Sequence, residues 1–308
     1  MFKLVLIIVL LSKTSGIDRG NEDYTNYTRG EICISLYLVG AMDKADIEKW
    51  ATYFSHEIRK ELEWEVPDLS NYGDPDYEKN LPRGVFRRYD NFLSSLNFLL
   101  TINEKNDIIK KGIEKLLSEQ GRGGSWVRVI YFTSKSIGIL NKYYTINPDN
   151  RVLKAITKAN IWLLNRISGL QYDPHIIDLC SFALANLPEE EEEKRATNVK
   201  QRLKQEWLNN DEISLFYPSH YETCLYLLQD NSVTNIEKER LAEEIANIIL
   251  EENFWKERKS DPVDIALAIR LLNACKKYLA PERQSDVEDF ISKSVLYLKK
   301  QIGDRENE

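Results

Sequence analysis

Histidine is scarce in this chain, at 3 in 308 residues, so His220-Tyr221-Glu222 stands out as the densest grouping of side chains able to move protons. It follows Tyr217-Pro218-Ser219, at a predicted helix start. A second polar group, Asp173, His175 and Asp178, surrounds another predicted start at Asp173-Pro174. Together these residues are the types with which an α/α-toroid glycan lyase or glycosidase, acting from a central cleft, exchanges protons with its substrate. A plainer role exists for each, because His and Glu at a helix N-terminus also serve as caps. The two roles differ in one observable: catalytic groups must line one cleft.

Other candidates carry less chemistry. Cys33, Cys180, Cys224 and Cys275 have no metal-type spacing, since no two lie within four residues of each other. They are either buried small hydrophobes or disulfide partners, in any of three pairings. Gly121-Arg122-Gly123-Gly124 is no phosphate loop, lacking both the Lys-Ser/Thr pair and a preceding strand. Arg83, Arg87 and Arg88 form a small basic cluster that suits an anion, an acidic partner or an ordinary exposed turn. The acids Glu189 to Glu193 precede Lys194-Arg195 at a helix start, where acids complement the helix dipole without needing a cation. No motif asks for a metal or a cofactor.

The elements that position these residues are predicted to be helices. Ile47, Trp50, Ala51, Phe54, Ile58 and Leu62 recur at spacings of three and four, a helix over 43–64. Residues 66–84, with Pro67, Gly73, Pro75 and Pro82, read as a connector. Helices are then expected over 89–100, 107–119, 126–143 with Ser125 as cap, 148–167, 173–187, 189–207, 220–228, 236–253, 261–279 and 281–301. Leu179 to Ala185 and Ile265 to Ile269 are apolar around most of their circumference and should be inner helices, paired with charged outer ones. One exception is expected: Ile32-Cys33-Ile34-Ser35-Leu36-Tyr37-Leu38-Val39 is the best strand candidate, with a short helix as its alternative. Residues 17–30 are polar and read as loose. A polar outer helix paired repeatedly with an apolar inner one gives an all-α fold, an α/α toroid of helical hairpins like the terpenoid cyclase and prenyltransferase superfold; regular helix pairs also suit an open solenoid, against which no consensus motif recurs at a fixed period.

The first residues suggest a compartment. Lys3 precedes eight apolar residues, Leu4 to Leu11, and the small residues Thr14, Ser15 and Gly16 follow. This reads as a secretory signal peptide over 1–16, too short for a span of roughly 20 apolar residues. Its removal takes away Lys3 and Lys13 and no acid, moving the formal charge from -7 to -9. Secretion would make Asn26-Tyr27-Thr28 a glycosylation acceptor at Asn26 and would permit disulfides. No later segment is apolar enough to span a membrane.

Composition excludes several classes. With 43% hydrophobic and 30% charged residues the chain is globular, and its acidic balance argues against nucleic acid, whose phosphates need a basic surface. Only 13 Gly and 9 Pro are few for an all-β chain full of tight turns.

From about residue 80 to 302 the chain resembles the thioester-containing domain of the complement and α-2-macroglobulin family. Asn91 to Leu100 with Ile108 to Leu117 resembles its first helical hairpin. Gly124-Ser125-Trp126-Val127 resembles the Ser-Trp opening of a central helix, and Trp162-Leu163-Leu164 the Trp-Leu element before a turn. Asp178 to Leu187 and Asp261 to Cys275 resemble two later helices. The resemblance implies an α/α toroid over 81–303, preceded by 17–80 and followed by a tail at 304–308. It also locates a departure. The family reads Pro-x-Gly-Cys-Gly-Glu-Gln, whose Cys and Gln form an internal thioester. Here Pro82-Arg83-Gly84 is followed by Val85-Phe86-Arg87-Arg88, with Val85 for the Cys and Arg88 for the Gln. Valine has no nucleophile and arginine no acyl carbon. His175 lies in the turn region where some members carry a His that attacks the thioester.

The resemblance therefore implies a secreted, extracellular, non-catalytic protein that binds a protein partner in innate immunity or protease control. A glycan-acting enzyme is the alternative. The length leaves room for one toroid and a leader, with residues 31–64 either a remnant of a neighbouring β domain or an addition.

Overall fold

The computed structural model describes residues 26–65, 83–169, 218–258 and 261–303, together with 201, 204–205, 207–208 and 215. Every regular element among them is helical. In chain order these are α1 (Asn26–Leu38), α2 (Lys44–Leu62), α3 (Arg83–Thr101), α4 (Asp107–Ser118), α5 (Ile130–Ile146), α6 (Asn150–Gly169), α7 (Pro218–Gln229), α8 (Asn235–Leu250), α9 (Glu252–Arg258), α10 (Pro262–Cys275) and α11 (Pro281–Gly303), with a 3-10 turn at Lys276–Tyr278. The expected helices over 173–187 and most of 189–207 lie outside the described residues.

Local chemistry sets many of the starts. Asp43 accepts the Asp46 N–H at 2.8 Å, and Asn106 accepts that of Ile108 at 3.0 Å. Thr234 and Glu237 form a reciprocal capping box. Asp261 accepts the Val263 N–H at 3.0 Å, with Pro262 in the first turn where a missing N–H costs nothing.

The expected strand over 31–39 is instead the body of α1. Residues Gly30 to Leu36 are buried without a break, so this helix is enclosed on all sides. A short apolar run has no periodicity to separate buried strand from buried helix, and among the described residues there is no strand to pair with it. Inside a helical core the backbone groups of such a run are satisfied by its own turns. The helix packs between α3 and α10. Cys33 and Ile34 enter one core cluster, built from α2 to α6, while Ile32 and Leu36 enter a second, built from α7 to α11. Each such aliphatic side chain contributes about 1.5–3 kcal/mol on burial. Residues 26–62 thus pack into both core clusters.

The helices sort into two layers. Contacts run α5–α3–α1–α10–α7 through one layer, and α2, α4, α6, α8 and α11 lie against it. As expected from its composition, α10 is buried around most of its surface, every residue from Pro262 to Ile269 being buried.

The predicted helix start at Trp126 is displaced to Ile130. Trp126 turns inward instead, its indole N–H donating to the Leu116 carbonyl at 2.7 Å and its backbone N–H to Thr133 Oγ1 at 3.2 Å. That inward turn puts Val127 and Arg128 at φ 45° and 60°, where L residues are strained. Gly124, at φ 102°, lies so close to α6 that a Cβ there would sit 2.4 Å from the Lys158 carbonyl oxygen. Gln120 completes the tie, donating to the carbonyls of Gly124 and Ala155 at 2.8 Å each.

Candidate functional site

A charged seam runs between the two core clusters. A helix places residues three and four apart on one side, so α3 brings Asp90, Ser94, Asn97 and Thr101 to one stripe and α5 brings Tyr131, Lys135 and Lys142 to another. Glu31 of α1 lies between them and α10. Arg270 Nη2 donates to Glu31 Oε2 at 2.8 Å and lies 3.6 Å from Glu222 Oε1 on α7. Lys135 stands 3.9 Å from Glu31 and donates to Asp90 Oδ1 at 3.2 Å, which also accepts the Tyr131 hydroxyl at 2.9 Å. The Lys135 ammonium lies over the rings of Tyr27 and Tyr131, 4.3 and 4.6 Å from their centroids. Lys142 donates to Asn97 Oδ1 at 2.7 Å and Thr101 Oγ1 at 3.1 Å.

Burial and charge compete at each of these groups. Burial works to raise the Glu31 carboxyl, but the Arg270 and Lys135 charges outweigh it and hold it below the usual range. At Asp90 burial wins over Lys135 and the Tyr131 hydrogen bond, so its carboxyl is raised. Arg270 is disfavoured by burial yet held fully charged by Glu222 and Glu31. The Lys142 side chain is exposed overall, but protein surrounds its ammonium. That desolvation, with the Arg270 charge added, pushes it down.

Of these residues only Glu222 stood out in the sequence. The others are single charges inside apolar helical stretches: Glu31 before Ile32-Cys33-Ile34, Lys135 within 130–140, Arg270 within 265–272. A charge at such a position is rarely buried unless paired, and that is the signal that could have found them.

The structure does not bring His220, Tyr221 and Glu222 together. Successive residues on a helix diverge by about 100°. His220 is buried edge-on against Trp207, with ring centroids 5.2 Å apart. Tyr221 is buried in the second core cluster, where burial raises its hydroxyl and the charge of Asp264 adds to the shift. Only Glu222 reaches the seam. Asp173, His175, Asp178 and the acids Glu189 to Glu193 lie outside the described residues.

The stretch Gly84 to Arg88 opens α3. Gly84 is exposed, Val85 is buried, and Phe86 stacks on Tyr131 with centroids 6.0 Å apart and planes 12° off parallel. Arg87 points to the exposed side. Arg88 Nε lies 3.1 Å from Glu61 Oε2, and its guanidinium covers Trp64 at 5.1 Å. Arg88 is therefore committed to the junction of α2 and α3, while Arg83 has no described side chain.

Cys33, Cys224 and Cys275 are buried free thiols, and none is bonded to another. Burial pushes Cys275 up to about 12 and raises Cys224, to which the Cys275 charge adds. Cys180 lies outside the described residues. Asn26 begins α1, but its side chain is not among those described, and residues 1–16 are also outside. Among the described residues no three His, Cys, Asp or Glu side chains converge as a metal site, and no helix is long and apolar enough to cross a membrane. No family model, no curated protein and no solved structure matches the chain.

Proposed function

We propose that this chain is a secreted α/α-toroid protein of the thioester-domain type, binding a protein partner in innate immunity or protease control without covalent chemistry. The observation that carries the reading lies at the start of α3. The residue in the place of the thioester Cys is a buried valine, and the residue in the place of the Gln is an arginine held by Glu61 and Trp64. The pairing of inner helices α5, α3, α1, α10 and α7 with outer partners is what supports the helical-hairpin part of the reading. The signal-like leader supports secretion. The test is intact-mass spectrometry of the purified protein before and after methylamine, which opens thioesters by adding across the acyl bond. No mass change is expected; a specific amine adduct would refute the reading.

A glycan-acting enzyme is the second reading, favoured by the half-exposed Glu222 carboxylate facing Arg270. It predicts release of reducing ends from acidic polysaccharides and loss of that release in Glu222→Gln. Absence of turnover across uronate-containing and neutral polymers would remove it.

A further inference from the structure

We infer that the C-terminal ends of α7 and α10 form a binding site for a single acidic sugar unit, a hexose-sized ring carrying one carboxylate. A cavity of about 380 Å³ opens between them, lined by Leu228, Gln229, Asn273, Ala274, Lys276 and Lys277. That volume lies within the range of small-ligand pockets and holds a monosaccharide. The Tyr278 hydroxyl donates to the Leu228 carbonyl at 3.0 Å, tying the turn after α10 to the end of α7.

Each part of the lining matches a part of such a ligand. Leu228 is buried and Ala274 half-buried, an apolar floor for the C–H face of a sugar ring. Gln229 and Asn273 are exposed, and neither side-chain amide is held by a described residue. An amide both donates and accepts, as a sugar hydroxyl does. Lys277 is exposed and has no carboxylate partner among the described residues. Its ammonium rests over the Tyr278 ring, 4.7 Å from the centroid, a weak attachment at an exposed position. Lys276, by contrast, is held by Glu288 at 2.8 Å. One positive charge is therefore left over, and it calls for one negative charge.

The helix ends limit that charge from the other side. Leu228 and Gln229 close α7, and Asn273 and Ala274 stand in the last turn of α10. Carbonyls at helix C-termini carry partial negative charge. They accept from hydroxyls and repel a dianion, so a phosphate group is disfavoured, while a neutral sugar leaves Lys277 unmatched. A ligand here displaces water from Gln229, Asn273 and Lys277 and breaks no protein hydrogen bond. The site lies about two turns beyond Glu222 along α7, apart from the charged seam, and rests on neither function proposed above.

The test is isothermal titration calorimetry of the purified protein with glucuronate, glucose and glucose 6-phosphate at matched ionic strength and neutral pH. Glucuronate is expected to bind saturably and about tenfold tighter than glucose, the value of one charge-assisted hydrogen bond. Glucose 6-phosphate should bind no tighter than glucose. Lys277→Gln should bring glucuronate down to the affinity of glucose. Gln229→Leu keeps the side-chain volume, removes the amide and should weaken both sugars several-fold. Both positions are exposed at helix ends, and circular dichroism of each variant checks that it folds. No saturable binding of glucuronate, a margin over glucose that survives Lys277→Gln, affinities untouched by Gln229→Leu, or tighter binding of glucose 6-phosphate would each overturn the inference.

Discussion

Removing the Glu31 carboxylate tests the seam most severely. In Glu31→Ala, Arg270 loses its 2.8 Å partner and keeps only Glu222 at 3.6 Å, while Lys135 keeps Asp90 at 3.2 Å. Breaking a buried pair from one side costs about 3–5 kcal/mol, because the remaining charge stays desolvated. The residual partners place Glu31→Ala near the lower end, at about 3 kcal/mol. Glu31→Gln leaves an oxygen for Nη2 and should cost about 1.5 kcal/mol, one hydrogen bond to a charged group downgraded. Urea unfolding of the purified protein reads both, with unchanged slope as the sign of an unaltered fold. The pH dependence adds a signed check. Glu31 is held below its unfolded value, so its stabilisation is present above that value and is lost as pH falls through the folded one. Asp90 is raised, so its ionisation costs stability as pH climbs from the unfolded value through the folded one. Glu31→Gln should flatten the first limb and leave the second. A cost below about 1 kcal/mol for Glu31→Ala, the value of an exposed pair, would refute the reasoning.

Three further outcomes follow from the α4–α5 connection and the core thiols. Gly124→Ala should destabilise by about 3 kcal/mol or more in the same urea assay, since its Cβ would meet the Lys158 carbonyl at 2.4 Å and φ is 102°. Arg128→Gly should stabilise by about 0.5–1 kcal/mol, because the residue is exposed and at φ 60°, and the relief exceeds the entropy glycine adds to the unfolded chain. Cys33, Cys224 and Cys275 should resist iodoacetamide at neutral pH in the native protein and react fully in denaturant, as peptide mapping would read; rapid native alkylation would contradict their burial.

Much of the helical framework was legible in the sequence. Period marks α2 over 43–64, and Asp261-Pro262 marks the start of α10, because these signals are local and the backbone groups they satisfy lie within one turn; the Thr234 cap of α8 was not read from the sequence. The all-round apolar character of Ile265 to Ile269 marks α10 as buried for the same reason. Two elements were not legible. The run at 32–38 lacks a period, and only its enclosure between α3 and α10 decides that it is helical. Ser125-Trp126 looks like a cap and first turn, but the indole is worth more buried on Leu116 than exposed on a helix face, so α5 starts later. The seam was hidden for a different reason. Arg270 and Glu31 are separated by 239 positions, and nothing local to either residue announces the other. Only Glu222 was visible, through neighbours that the helix then sends in other directions.

The account turns on α1 as the enclosed helix that joins the two core clusters and supplies Glu31 to the seam. Native-state hydrogen exchange of the amides from Ile32 to Leu36 tests this most directly. If α1 is enclosed as described, these amides exchange only through global unfolding and share the free energy measured by urea. Exchange within the range of fraying termini, several kcal/mol below that value, would contradict it.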